Sequence, residues 1–193
     1  MNAMQTVAGA VLVSGCLATT QGHAQEKFYL GASFGQSDID SSIASGFITS
    51  GPVDGKDSGS KIFGGYRFGR NFALELSYVD LGKASYSGDF FGSPVTGGKV
   101  KVSGFNTSAV GIVPVSDALE LFGKAGLYAW EAKASDLTGG VPFAAKVDDV
   151  TLSLGFGATY HFTKNVAARL EWEHFDLDPD KASMLSAGIV VKF

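Results

Sequence analysis

Three histidines and one cysteine give this chain few ways to build a nucleophile or a metal centre. His23 and Cys16 fall in an N-terminal stretch that reads as a removable leader, so neither serves the mature chain. His161 is followed two residues later by Thr163, in a turn, and His174 stands on the opposite parity among apolar neighbours. Asp176-Leu177-Asp178-Pro179-Asp180 imitates the start of a calcium loop. Lys181 occupies the place of the required Gly, however, and Ala187 that of the closing Glu, so a solvated acidic loop is expected and no metal site. The remaining chemistry rests on charged residues spaced by two along segments of Gly, Ser and Thr. Arg67, Glu75, Lys124, Arg169, Glu171 and Glu173 share one face, with Lys27, Lys61 and Lys192 on the same parity. Such groups leave water at little cost only when paired, so an ion-pair network is expected of them, with no catalytic residue and no cofactor.

The elements that must position these groups are strands. Phe28-Leu30-Ala32-Phe34, Ile62-Gly64-Tyr66-Phe68 and Phe72-Leu74-Leu76-Tyr78 alternate with small or polar residues in a period of two. So do the even residues of 150–162, the even residues of 166–172 and the odd residues of 185–193, while 99–113 and 119–131 alternate less cleanly. Eight strands follow, with no competing amphipathic helix. The connections at 69–71, 114–118 and 163–165 are tight and rich in turn formers. Those at about 37–58, 83–98, 132–147 and 176–183 are mostly long and rich in Gly, Ser and Asp. Short and long connections alternate, which in an up-and-down barrel gathers the tight turns at one rim and the long loops at the other.

Residues 1–25 contain no Asp, Glu, Lys or Arg, and Val7 to Leu17 form an apolar run followed by small residues at Gly22-His23-Ala24. A secretory signal over 1–24 and a mature domain over 25–193 are expected; the run is short of the roughly 20 residues a spanning helix needs. Val13-Ser14-Gly15-Cys16 offers a rival reading as a lipobox with a lipidated Cys16. The net charge of -4 provides no basic field for nucleic acid.

Which face lies inside is decided by the polar set. It is built mainly of Gly, Ser and Thr, and within 150–162 it carries no Asp, Glu, Lys or Arg. A solvated face has no reason to be so small. The lumen of an eight-stranded barrel does, because it is just wide enough for side chains to fill. The apolar set ends in aromatics, with Tyr66, Phe68, Phe72, Tyr160 and Phe162 about the tight turns and Tyr78 and Trp172 toward the other rim. These fit the aromatic girdles of a bilayer-spanning barrel. The fold class is therefore all-β, an eight-stranded antiparallel up-and-down transmembrane β-barrel. A soluble lipocalin-like ligand-binding barrel, which buries the apolar set instead, is the alternative from another class.

Several motifs in order carry a family resemblance. Gly64-Gly65-Tyr66-Arg67-Phe68 with Asn71 to Gly82 resembles the second and third strands of the OmpA-like transmembrane barrel family. Phe122 to Trp130 is similar to its fifth strand, and Arg169-Leu170-Glu171-Trp172-Glu173 with Ser186 to Phe193 to its seventh and eighth. The resemblance implies a Gram-negative outer-membrane location among bilayer lipid and lipopolysaccharide, and the same charged pairs across the lumen. It also implies an aromatic assembly signal at Phe193, read by the barrel assembly machinery. Nothing follows Phe193, so the wall-binding domain of full-length OmpA is not expected. The expected function is a structural envelope component that displays surface loops, for adhesion or for host or phage contact, around a plugged lumen. A narrow gated pore and a lipid A-modifying barrel enzyme are the other readings.

Overall fold

The computed structural model describes residues 27–40, 53–54, 56–90, 93–138, 141–177 and 180–193. The expected leader 1–24, with Cys16 and His23, lies outside the described residues. Eight long strands form the body: β1 Phe28–Asp40, β2 Lys56–Arg67, β3 Phe72–Phe90, β4 Ser93–Pro114, β5 Leu119–Thr138, β6 Val141–His161, β7 Val166–Leu177 and β8 Asp180–Lys192. A two-residue piece, Val53–Asp54, pairs with Tyr86 and Ser85 of β3 and continues the line of β2. Each strand pairs antiparallel with its sequence neighbours, and β1 also pairs with β8, so the sheet closes on itself. Among the described residues closure leaves no edge strand with open backbone groups, the condition for a sheet that stands in lipid.

The period of two becomes two surfaces. Along β7, Ala167, Arg169, Glu171, Glu173, Phe175 and Leu177 are buried, while Val166 and Leu170 on the other parity are turned outward. On β6 the contrast decides the orientation of the sheet: Ser153 is 2% exposed and the adjacent Leu154 is 56% exposed. The outward surface is thus apolar and the inward one polar at mid-height, the reverse of a soluble barrel.

Tight turns set the registers. The N–H of Phe68 donates to the carbonyl of Phe72 at 2.8 Å, which places Arg67 opposite Ala73, and Gly69 at the turn has a φ of 118° that favours glycine. The Ser116 hydroxyl accepts from the N–H groups of Ala118 and Leu119, and the Thr163 hydroxyl from those of Asn165 and Val166. The last turn places His161 opposite Ala167, hence Glu171 opposite Gly157 and Glu173 opposite Gly155.

At the other rim the strands run further than their alternation predicts. Much of 83–98 and 132–147, read as loops, is paired strand: β3 reaches Phe90 against Ser93 of β4, and β5 reaches Thr138 against Val141 of β6. β1 likewise reaches Asp40, and β7 and β8 pair out to Leu177 and Asp180. The reason is cooperative pairing. Once two neighbours leave the barrel in register, each backbone supplies the other's hydrogen bonds whatever the side chains. Residues 41–52, 91–92, 139–140 and 178–179, within the expected long loops, lie outside the described residues.

Inside, the lumen is layered. Tyr29, Phe63, Ala73, Val110, Ile112, Phe122, Ala167 and Val190 pack together toward the tight-turn end. Above them lies a band of charge, and beyond it a second apolar cluster that includes Val79, Leu81, Val102, Tyr128, Phe175 and Met184. The long-loop end of the lumen is thus filled by hydrophobes, which shield the charged band from that side.

Candidate functional site

The charged band is assembled from four strands, each projecting one parity inward. Glu75 comes from β3, Lys61 from β2, Lys124 from β5, and Arg169, Glu171 and Glu173 from β7. All six side chains are at most 5% exposed. Arg169 donates through Nη1 to Glu75 Oε2 at 2.7 Å and lies 3.2 Å through Nε from Glu171 Oε2. Lys124 Nζ stands 2.6 Å from Glu171 Oε1 and 3.4 Å from Glu75 Oε1, and also pairs with Glu173. Lys61 Nζ is 2.6 Å from Glu173 Oε2 and pairs with Glu171 as well. The Tyr29 hydroxyl adds a donor to Glu75 Oε2 at 3.0 Å.

Three cations therefore face three carboxylates, and every carboxylate meets at least two cations. That balance is what permits six charges to share a dry lumen, because an unmatched one would carry a desolvation penalty of several kcal/mol. Aromatic faces supply the rest: the Arg169 guanidinium lies 4.1 Å from the Phe122 ring centroid and 4.7 Å from that of Phe63. Small residues make the room. A Cβ at Gly155 would stand 3.0 Å from Lys124 Cε and 3.1 Å from Glu173 Cγ, and one at Gly65 would overlap the Tyr29 ring.

Five of the six residues expected in the network meet here; Arg67 does not. It sits opposite Ala73 as the turn requires, yet its guanidinium turns to the rim and holds Glu120 by two hydrogen bonds of 3.0 and 3.2 Å. The place of Arg67 in the expected network is thus corrected, because it enters the lumen on the rim side of the Tyr29 and Phe122 rings. Glu173 is held by Lys61 and Lys124, while Arg169 serves Glu75 and Glu171. Lys61 had the right parity to be found, but only the closed barrel brings it across to β7. Glu120 was missed, although its spacing from Phe122 and Lys124 placed it on the inward face.

At the tight-turn rim Glu120 also meets His161, 3.1 Å from Nε2, and Lys192, 3.8 Å from Nζ. His161 is therefore part of a rim ion cluster. His174 lies outside the lumen, stacked on Trp172 at 5.9 Å with an interplanar angle of 10°. Among the described residues no group of three or more His, Cys, Asp or Glu is placed to hold a metal ion.

The expected aromatics lie on the outer surface in two sets. Tyr66 packs edge-on against Phe28 and Phe68 at 4.8 and 5.0 Å, and Tyr160 against Phe162 at 5.4 Å, with Phe72 exposed beside the same rim. Toward the other end Tyr78 packs on Phe105 at 5.2 Å and Trp172 on Phe156 at 5.3 Å. Phe193 is turned outward, its N–H donating to the Phe28 carbonyl at 2.8 Å across the β1–β8 seam.

Comparison with known proteins agrees with this architecture. The family model for the OmpA-like transmembrane domain matches residues 23–193. Outer membrane protein A of Salmonella typhi is 30% identical over 172 residues, covering 86% of this chain and 46% of that protein. Outer membrane protein A of Shigella flexneri is 28% identical over 170 residues, covering 86% of this chain and 47% of its own. The chain thus spans about half the length of these relatives. Among solved structures, the attachment invasion locus protein Ail of Yersinia pestis aligns with a TM-score of 0.59 at 17% identity, over 86% of this chain and 98% of Ail. Neisserial surface protein A aligns with a TM-score of 0.59 at 21% identity, over 86% of this chain and 97% of that one. At such identities these structures show the shared fold.

Proposed function

This chain belongs to the OmpA-like transmembrane domain family, and from that premise we propose that it is a structural component of the outer membrane whose lumen is closed and whose long-loop end is presented to the exterior. The observation that carries the reading is the filled lumen. A neutral cluster of three cations and three carboxylates spans the barrel at mid-height, with apolar layers above and below it. An aqueous path would require Arg169, Lys124 and Lys61 to leave their partners together and Tyr128 and Phe175 to part, and an eight-stranded barrel offers no space for those side chains to move into. The outward surface supports the bilayer part of the reading, with a band of Leu, Ile and Phe between two sets of aromatics.

In this reading residues 1–24 are a cleaved export signal, the lipid bilayer and lipopolysaccharide surround the barrel, and the strands that extend beyond the outer aromatics carry the loops clear of the lipid. On the same reading the protein has no reaction of its own: the six ionisable groups of the central band are spent on one another. The test is membrane fractionation of cells producing the full chain, combined with gel mobility before and after heating and with protease added to intact cells. Recovery in the outer membrane, a heat-dependent mobility shift and cleavage confined to the long-loop end are expected. Soluble periplasmic recovery, or cleavage at the tight turns of intact cells, would overturn the reading.

A further inference from the structure

The rim network around Glu120 is one wall of a hollow. At the tight-turn end the lumen widens into a cavity of about 250 Å³ lined by Lys27, Arg67, Arg70, Lys164 and Lys192 against only two carboxylates, Asp117 and Glu120. Its inner end leads to a smaller cleft of about 30 Å³ that reaches Arg169 between Tyr29 and Phe122. Beyond Arg169 the charged band and the apolar cluster close the barrel, so the hollow is a blind vestibule with one mouth.

The charge in this vestibule is unbalanced where the charge above it is balanced. Five cations converge on two carboxylates. Glu120, the inner of the two, already receives Arg67, His161 and Lys192. Asp117 is an exposed turn residue. Positive groups held together in a concave site repel one another and focus a field that draws in anions. The Arg67 guanidinium is held by the Glu120 carboxylate through both Nη groups, and Nη2 also donates to the Arg70 carbonyl at 3.1 Å; such a planar fork suits paired oxygens, those of Glu120 or of a competing anion, better than a halide.

Height matters as well. Arg70 stands between Phe68 and Phe72, and Lys164 follows Phe162, so the two turns that carry these cations rise directly from the inner aromatic set. Such aromatics mark the level of lipid head groups. The mouth of the vestibule therefore opens where phosphodiesters are most concentrated.

We propose that this vestibule is a binding site for phosphate-bearing anions, either free phosphate or the phosphodiester head group of a lipid in the leaflet at the tight-turn rim. Oxygens of the phosphate meet the cations that line the hollow and compete with Glu120 for the Arg67 fork, and Arg70 and Lys164 gate the entrance electrostatically. The binding step stands whichever side of the membrane this rim faces.

The experiment uses the isotope-labelled, folded barrel in uncharged micelles, titrated with inorganic phosphate at constant ionic strength against a chloride control. A parallel arm uses bicelles of phosphatidylcholine with or without phosphatidylglycerol. Saturable amide shifts confined to residues around Gly69, Arg70, Lys164 and Lys192 are expected. Saturation by phosphate alone identifies free anions as the ligand, and saturation only with phosphatidylglycerol identifies the head group; either supports the proposal. Replacing the two exposed turn cations, Arg70→Gln with Lys164→Gln, should weaken binding about tenfold because both lie within a Debye length of the site. Glu120→Gln should act in the opposite direction and tighten binding several-fold, since it removes the carboxylate that competes for Arg67. Absence of saturable shifts in both arms, an equal response to chloride, or affinity unmoved by the turn substitutions would overturn the proposal.

Discussion

Removing Lys61 from the lumen offers a quantitative test of the charged band. Lys61→Met keeps most of the side-chain volume and deletes the cation that holds Glu173 at 2.6 Å and also pairs with Glu171. Three carboxylates then share two cations, Lys124 and Arg169, in a site where the carboxylates are at most 1% exposed. Leaving a buried charge unmatched costs about 3 to 5 kcal/mol, and the apolar cluster above the band restricts the water that could reduce that figure. Adding Glu173→Gln to Lys61→Met restores neutrality, so the pair should be coupled by about 2 to 3 kcal/mol in a double-mutant cycle. A surface control separates this from general charge effects: Lys101 Nζ lies 2.7 Å from Asp80 with its side chain 45% exposed, and Lys101→Ala should cost less than about 1 kcal/mol. The assay is reversible urea unfolding in lipid vesicles, read by the fluorescence of Trp130 and Trp172 and by the fraction of compact gel band. Additivity of the two lumen substitutions within about 0.5 kcal/mol would refute the claim that the six groups form one neutral unit.

Other substitutions probe the remaining layers. Leu154→Arg puts a charge on the lipid-facing surface, where it should cost about 2 to 4 kcal/mol near mid-depth and lower assembly yield, while Ser153→Ala on the lumen side should be mild; a reversed order would mean the faces are misassigned. Gly65→Val overlaps the Tyr29 ring and should destabilise folding by about 1 to 3 kcal/mol in the same urea assay, whereas unchanged stability would contradict the close approach of β1 to β2. Tyr128→Ala empties the centre of the upper apolar layer, where the ring packs 4.6 Å from Phe175, and should cost about 3 to 5 kcal/mol; a neutral result would show that this layer is not packed.

The barrel's two faces were legible because the interior of a small barrel excludes bulk. Gly155, Gly157 and Ser153 on one parity against Leu152, Leu154 and Phe156 on the other could belong to no solvated sheet. Register across the tight turns was equally readable, since each turn fixes its pair and places Arg169, Glu171 and Glu173 opposite Thr159, Gly157 and Gly155. What alternation could not express was which cation meets which carboxylate. Those contacts cross the lumen between strands far apart in sequence, as Lys61 and Glu173 do, and depend on the height at which each charge enters. Arg67 shows the point. Its parity matched Glu75, but it enters the lumen near the rim and finds Glu120. The hydrophobic upper layer was hidden for a related reason, because Val79, Leu81 and Phe175 lie on the same parity as Glu75 and Glu173, and a single strand does not show where the polar stretch of its inner face ends. The strand extensions beyond the outer aromatics were obscured by composition. Ser, Gly and Asp suit a loop, yet ladder bonding between paired neighbours continues through them.

Single-channel recording in planar bilayers asks whether the lumen is closed. The unaltered folded barrel should be silent, or show only rare and small openings, because the band of Lys61, Glu75, Lys124, Arg169, Glu171 and Glu173 and the apolar layer beyond it obstruct the same path. Steady conductance of porin size from that same protein would contradict a closed lumen.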